Sequence, residues 1–190
     1  MTTNINESFT VTVSDGSLSD SKILAIHISQ QGITESNGAE KLIGTASNNK
    51  FDGLAGDDVI KGYGGSDTLK GGVGKDSLTG GLGADQFIYD ADAESGNATS
   101  TRDVVVDFSH SQGDKINLSA IDANILSVNE DAFTAPTVGD SFSGQFSKPG
   151  QLYFDQTTHI LYGNNDADNA VDFSILLLGV NNLVASDFIL

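Results

Sequence analysis

The chain has 190 residues, with 26 acidic side chains against 9 lysines and arginines and a formal net charge of −17, so it would repel a phosphate backbone or an anionic membrane and nucleic acid is excluded as a partner. It has no cysteine, which excludes disulfides and thiolate metal sites, while a hydrophobic content of 38% suffices for a modest core. No basic-then-apolar leader and no apolar run of membrane-spanning length occurs, so neither a signal peptide nor stable membrane insertion is expected.

In chain order, Phe9, Val11 and Val13 alternate with polar residues, as do Leu24, Ile26 and Ile28, and SDGSLSDS (14–21) between them is turn material. This predicts a β-hairpin, assigned to a first unit of residues 1–34. The stretch ESFTVTVSDGSLSDSKILAIHI (7–28) resembles the last two strands of the cadherin-like or bacterial immunoglobulin-like repeats of large surface adhesins. An ordinary hairpin packed on the next segment of the chain is the equal alternative.

A nine-residue register then runs without a gap through GTASNNKFD (44–52), GLAGDDVIK (53–61), GYGGSDTLK (62–70), GGVGKDSLT (71–79) and GGLGADQFI (80–88). The preceding ESNGAEKLI (35–43) keeps its apolar residue, Leu42, but has Glu40 in place of Asp or Asn, and reads as a degenerate first unit. Glycines at positions one, two and four free the backbone to turn its carbonyls inward. Position six carries Asn49, Asp58, Asp67, Asp76 and Asp85, and position eight carries Phe51, Ile60, Leu69, Leu78 and Phe87. Carbonyl and carboxylate oxygens together make the shell that a hard cation such as calcium prefers.

The pattern resembles the nonapeptide repeat of RTX exoproteins, G-G-x-G-x-D-x-U-x, a known calcium-binding signature. That resemblance implies an all-β fold: a calcium-bound parallel β-roll over 35–88, each unit making half a turn, so that ions sit between units two apart. Carried onto this chain, it pairs Asn49 with Asp67, Asp58 with Asp76, and Asp67 with Asp85. Backbone carbonyls near Gly44, Gly53, Gly56, Gly62, Gly65, Gly71, Gly72, Gly74, Gly80, Gly81 and Gly83 would complete the shells. About three to four calcium ions are expected, the fourth between Glu40 and Asp58.

Residues 89–190 form the third unit. DVVVDF (103–108), GDKINLSAID (113–122) and SDFIL (186–190) resemble the C-terminal region of serralysin-type proteins, which implies a β-sandwich-like cap on the roll. Leu152 and Phe154, Ile160 and Tyr162, and Phe173 through Leu178 read as strands, NNDADN (164–169) as a turn, and 124–150 as irregular. Asp103, Asp107 and Asp114 are candidates for an ion at the end of the roll. Asp166 and Asp168, with Asn164, occupy places where the family shows Asp-x-Asn-x-Asp-Gly; a solvated turn is the alternative, since the helices and position-twelve glutamate of an EF-hand are missing.

His27, His110 and His159 are widely separated, and neither a His-Glu-x-x-His helix nor a Gly-x-Ser-x-Gly elbow is present. No enzyme is expected. The sequence points to a monomeric, noncatalytic module of a secreted, extracellular or cell-surface protein. It would fold on external calcium. Asp187–Leu190, an acidic residue followed by three large apolar ones, resembles the C-terminal signal of type I secretion substrates, which implies export by a type I secretion transporter. The end of a large adhesin is the first assignment. The C-terminal part of a secreted hydrolase or an alginate epimerase-like enzyme is the alternative, and a free-standing calcium- or carbohydrate-binding protein the third.

Overall fold

A computed structural model describes residues 33–34 and 37–190; the hairpin predicted over 9–28, and its adhesin resemblance, lie outside the described residues. The described residues open with β1 (Ile33–Thr34) and β2 (Lys41–Ile43), and the repeats add β3 (Lys50–Asp52), β4 (Val59–Gly64), β5 (Thr68–Lys70), β6 (Ser77–Leu82) and β7 (Gln86–Ile88). Then come β8 (Asp103–Val105), β9 (Lys115–Asn117), β10 (Thr137–Gly139), β11 (Gln151–Asp155), β12 (Ile160–Asn164), β13 (Phe173–Leu177) and β14 (Phe188–Ile189). Among the described residues there is no α-helix, only the single-turn 3-10 helices Asp92–Glu94, His110–Gln112 and Ala185–Asp187. The fold is a parallel β-roll whose two sheets continue into the cap.

Consecutive strands of the repeat alternate between the sheets. One sheet has the order β1-β3-β5-β7-β9-β14 and the other β10-β11-β12-β13-β8-β6-β4-β2. A nonapeptide therefore makes half a turn, and its neighbour in the sheet lies 18 residues away, as the main-chain contact between Asn49 and the Asp67 carboxylate records. The single apolar residue of each unit falls into one of two columns. Phe51, Leu69, Phe87, Ile116 and Phe188 face Leu42, Ile60, Leu78, Val105 and Leu177, and all are buried. Short strands suffice because each needs only one inward side chain, and glycine turns reverse the chain at once.

At Tyr89 the nine-residue period stops, yet the ladder does not. Residues 89–102 loop out, and β8 and β9 then dock on β6 and β7 with separations of 27 and 29 residues instead of 18. The excursion is tied back to β13: Ser95 Oγ donates to the Ser174 carbonyl at 2.6 Å, and Arg102 Nε to Ser174 Oγ at 2.6 Å. The cap is thus an extension of the roll's own sheets, with antiparallel β11, β12 and β13 growing from parallel β8. The region expected to be irregular contributes one strand, β10, which runs parallel to β11 at the sheet edge. Its three residues come directly after Pro136, too short a run for periodicity to reveal.

Candidate metal centre

The position-six side chains stand in two ladders at the turns of the roll. Main-chain N–H groups donate along each ladder to the carboxylate two units on: Glu40 to Asp58 Oδ1 at 2.7 Å, Asn49 to Asp67 Oδ1 at 2.7 Å, Asp58 to Asp76 Oδ1 at 2.8 Å and Asp67 to Asp85 Oδ1 at 2.8 Å. The structure thus brings together the three pairs that the half-turn geometry implies, and adds Glu40 with Asp58. Beyond the repeats, the Asp76 N–H donates to Asp103 Oδ1 at 2.8 Å and the Asp85 N–H to Asp114 Oδ1 at 3.0 Å. Asp103 and Asp114 therefore continue the ladders across the looped-out segment.

Each of these carboxylates uses one oxygen for the ladder, and the other decides the chemistry. Oδ2 of Asp58, Asp67, Asp76, Asp85 and Asp103 is buried with no hydrogen-bond partner. In the repeats this oxygen faces the position-one glycine of its own unit. A Cβ on Gly53, Gly62, Gly71 or Gly80 would collide with Oδ2 of Asp58, Asp67, Asp76 or Asp85, and one on Gly44 would lie 2.5 Å from Asn49 Oδ1. The same Cβ on Gly53 or Gly62 would lie 2.5 Å from the carbonyl oxygen of Gly71 or Gly80, and one on Gly44 would meet that of Gly62. Glycine is required there because side-chain and main-chain oxygens from units two apart converge on the space a Cβ would fill. Gly56, Gly65, Gly72, Gly74, Gly81 and Gly83 hold positive φ angles of 92° to 146°, which let the turns stack closely.

Burial of uncompensated carboxylates raises their pKa values. Desolvation, opposed in part by the ladder N–H bonds, pushes Asp58 and Asp67 up to about 6, Asp76 to about 7 and Asp103 to about 8. Neighbouring carboxylates add to this: Glu40 and Asp57 for Asp58, Asp85 for Asp67, Asp58 for Asp76, and Asp76 for Asp103. Asp85 and Asp114 move in the same direction for the same leading reason. Buried carboxylates with an idle oxygen, main-chain carbonyls beside them and no cationic partner fit a hard divalent cation with oxygen ligands. The residues present therefore fit calcium.

Residues 44–190 match the family described as Peptidase M10 serralysin C terminal. The chain belongs to this serralysin C-terminal family. Two solved structures share the fold. The AlgE6R3 subunit of the mannuronan C5-epimerase of Azotobacter vinelandii superposes with a TM-score of 0.56 at 24% identity over 83% of this chain and 81% of that one. The AlgE6R2 subunit of the same epimerase gives 0.53 at 24% identity over 88% and 94%. At this identity the likeness establishes a common architecture. The comparison with curated proteins gives no match.

Within this serralysin C-terminal domain the end-of-roll aspartates divide by role. Asp103 buries Oδ2 like the repeat aspartates, but its carboxyl also lies against the Tyr89 hydroxyl. Asp107 has none: its two oxygens accept the N–H groups of Gly80 and Gly81, each at 2.9 Å. Asp114 accepts from Asp85 and also from Ser109 at 2.9 Å. Asp107 and Asp114 cap the last turn with hydrogen bonds, and Gln112 joins them by accepting the Gly83 N–H at 2.9 Å. Gln112 carries no signal in the sequence because it lies beyond the nine-residue register. Asp166 and Asp168 lie outside the ladders, in the β12–β13 turn.

Asp67 holds the central place. It caps Asn49 on one side, is capped by Asp85 on the other, and turns Oδ2 into the Gly62–Gly80 cradle. Asp85 is succeeded only by the hydrogen-bonded Asp114. Asp67→Ala is therefore expected to raise the calcium concentration at half-folding about tenfold or more, and Asp85→Ala by less, since each 1.4 kcal/mol of lost site energy is a factor of ten. Circular-dichroism titrations of both variants measure this, and equal shifts would rule out pairing by units two apart.

Proposed function

We propose that the chain is a noncatalytic module that binds calcium in the turns of its roll, folds when it meets extracellular calcium, and carries a type I export signal in residues 187–190. The observation that carries the calcium reading is the row of buried, unpartnered Oδ2 atoms facing glycine cradles. Counting calcium bound per chain by equilibrium dialysis tests it, with about three to four ions expected from the cradles; no calcium bound at millimolar concentration would overturn it. The noncatalytic reading is supported by the histidines, which serve structural contacts where described. His110 pairs with Asp187, and His159 Nδ1 meets the Val180 carbonyl at 2.6 Å.

The export reading and a strand reading of residues 187–190 are compatible. In the folded chain Phe188 and Ile189 form β14 on β9, Asp187 is buried, and Lys115 Nζ donates to the Ser186 carbonyl. A transporter could read such a segment only before the roll folds, and low cytosolic calcium would keep the roll unfolded. Deleting residues 187–190 from a fusion to a slow-folding passenger is expected to reduce export through a matching type I transporter at least tenfold. Calcium-induced β structure should persist in the purified deletion variant, because β14 ends its sheet and the roll keeps its ladders, although buried Phe188 and the Asp187–His110 pair are lost. Undiminished export would place the signal elsewhere.

We assign the module to the end of a large secreted adhesin, on the strength of the 7–28 resemblance. The native gene on the 5′ side tests this: tandem immunoglobulin-like units would support the adhesin, and a catalytic motif would support a secreted hydrolase or epimerase-like enzyme instead.

A further inference from the structure

The turn between β12 and β13 gathers oxygen ligands that the roll does not use. Counting from Asn164, positions one, three, five, seven and nine are Asn164, Asp166, Asp168, Ala170 and Asp172. Carboxylate oxygens of Asp166, Asp168 and Asp172 lie within 4.8 Å of one another. Calcium loops draw side-chain oxygens from positions one, three and five, a main-chain carbonyl from seven and a further ligand at nine, around a sharp turn at six. Position six here is Asn169, at φ 64°, a left-handed conformation that asparagine tolerates better than most residues.

Acidic turns are common without an ion, and Asn164 is what sets this one apart. It is 0% exposed, its Oδ1 has no hydrogen-bond partner, and its Nδ2 donates to the Ala170 carbonyl at 2.8 Å. The amide therefore lies against the position-seven carbonyl, inside the turn, with an idle oxygen of the kind that a native interior seldom leaves unmatched. Asp92 approaches from the looped-out segment, where its Oδ2 accepts a 3.3 Å bond from Asn165 Nδ2. The ion pairs among the described residues all involve other carboxylates, Asp90, Glu94 and Asp187.

We propose that the 164–172 turn is a calcium site separate from the roll, formed by Asn164 Oδ1, Asp166, Asp168, the Ala170 carbonyl and Asp172. Position twelve is Ile175, buried in the core, so the bidentate glutamate of a tight sensor loop is missing and the site falls in the millimolar, extracellular range. An ion there would hold the β12–β13 hairpin closed, tightening the cap rather than the roll.

The test compares calcium bound per chain, by equilibrium dialysis at millimolar calcium, in the parent and in Asp166→Asn/Asp168→Asn. These two side chains lie on the exposed and half-buried parts of the turn, and the calcium-induced β signal reports that the variant still folds. The expected result is one fewer ion in the double variant, with the folding midpoint of the roll changed less than twofold. An unchanged ion count would overturn the proposal. If the double variant fails to fold, Asp168→Asn alone, at an exposed position, is judged by the same criterion. A parent that holds a single ion and a variant that holds none would support this site while sinking the calcium reading of the roll.

Discussion

In chelator at neutral pH the roll is expected to lose most of its β signal, and millimolar calcium to restore it. The reason lies in what fills the interior of the repeat. Each nonapeptide buries one apolar side chain and one position-six group, and four of those groups are aspartates with an idle oxygen. An ionised carboxylate in such a place is costly unless a cation or a proton meets it. The whole chain also carries a net charge of −17, so the compact state repels itself. Calcium that binds only the folded form adds about 1.4 kcal/mol per site at ten times its dissociation constant, or about 4 kcal/mol over three sites. That is comparable to the total stability of a small domain. Far-ultraviolet circular dichroism in chelator and then in rising calcium measures the effect, with a midpoint expected at about 0.1–1 mM. Full β signal in chelator at pH 7.5 would rule out the coupling.

The repeat made half of this architecture legible. A strict nine-residue period with one apolar residue per unit specifies two sheets, an 18-residue register and ladders of position-six groups, and Phe51 above Leu69 above Phe87 results from counting alone. Counting fails where the chain stops repeating. Nothing local to Asp103 announces that it succeeds Asp76, because the intervening segment has its own length and its own anchors on Ser174. Asp107 is a candidate ion ligand by its place at the end of the roll, but its capping role, like that of Gln112, is hidden for a different reason: both bond N–H groups of Gly80, Gly81 and Gly83, which no later repeat covers. The contribution of Asp172 to the β12–β13 turn is likewise hidden, since the turn is read over 164–169 and the strand from Phe173, so that Asp172 belongs to neither until the chain is seen folded back on Asp166 and Asp168.

Stability should depend on pH with opposite signs in chelator and in calcium. In the calcium-free fold, Asp58 and Asp67 rise from the ordinary 3.8 to about 6, Asp76 to about 7 and Asp103 to about 8, chiefly through burial. Between about pH 4 and pH 8 the folded form therefore holds more protons than the unfolded chain, and by linkage its stability falls as pH rises through that window. Acidifying from pH 8 to pH 5 in chelator is expected to raise the melting temperature and recover β signal, because protons take the place of the missing cation. In saturating calcium the same carboxylates must be ionised to act as ligands, so calcium binding displaces protons. The melting temperature should then fall as pH drops below about 6, and the calcium midpoint should climb. Asp67→Asn separates this account from a general effect of net charge: its amide oxygen can still accept the Asn49 N–H, but no proton can leave it. This variant is expected to melt higher than the parent in chelator at pH 7.5, lower than the parent in calcium, and with a flatter pH profile in both. Thermal melts of parent and variant from pH 5 to pH 8, with and without calcium, provide the measurement. Profiles of the same slope in chelator and in calcium would mean that the buried carboxylates are not where calcium and protons compete.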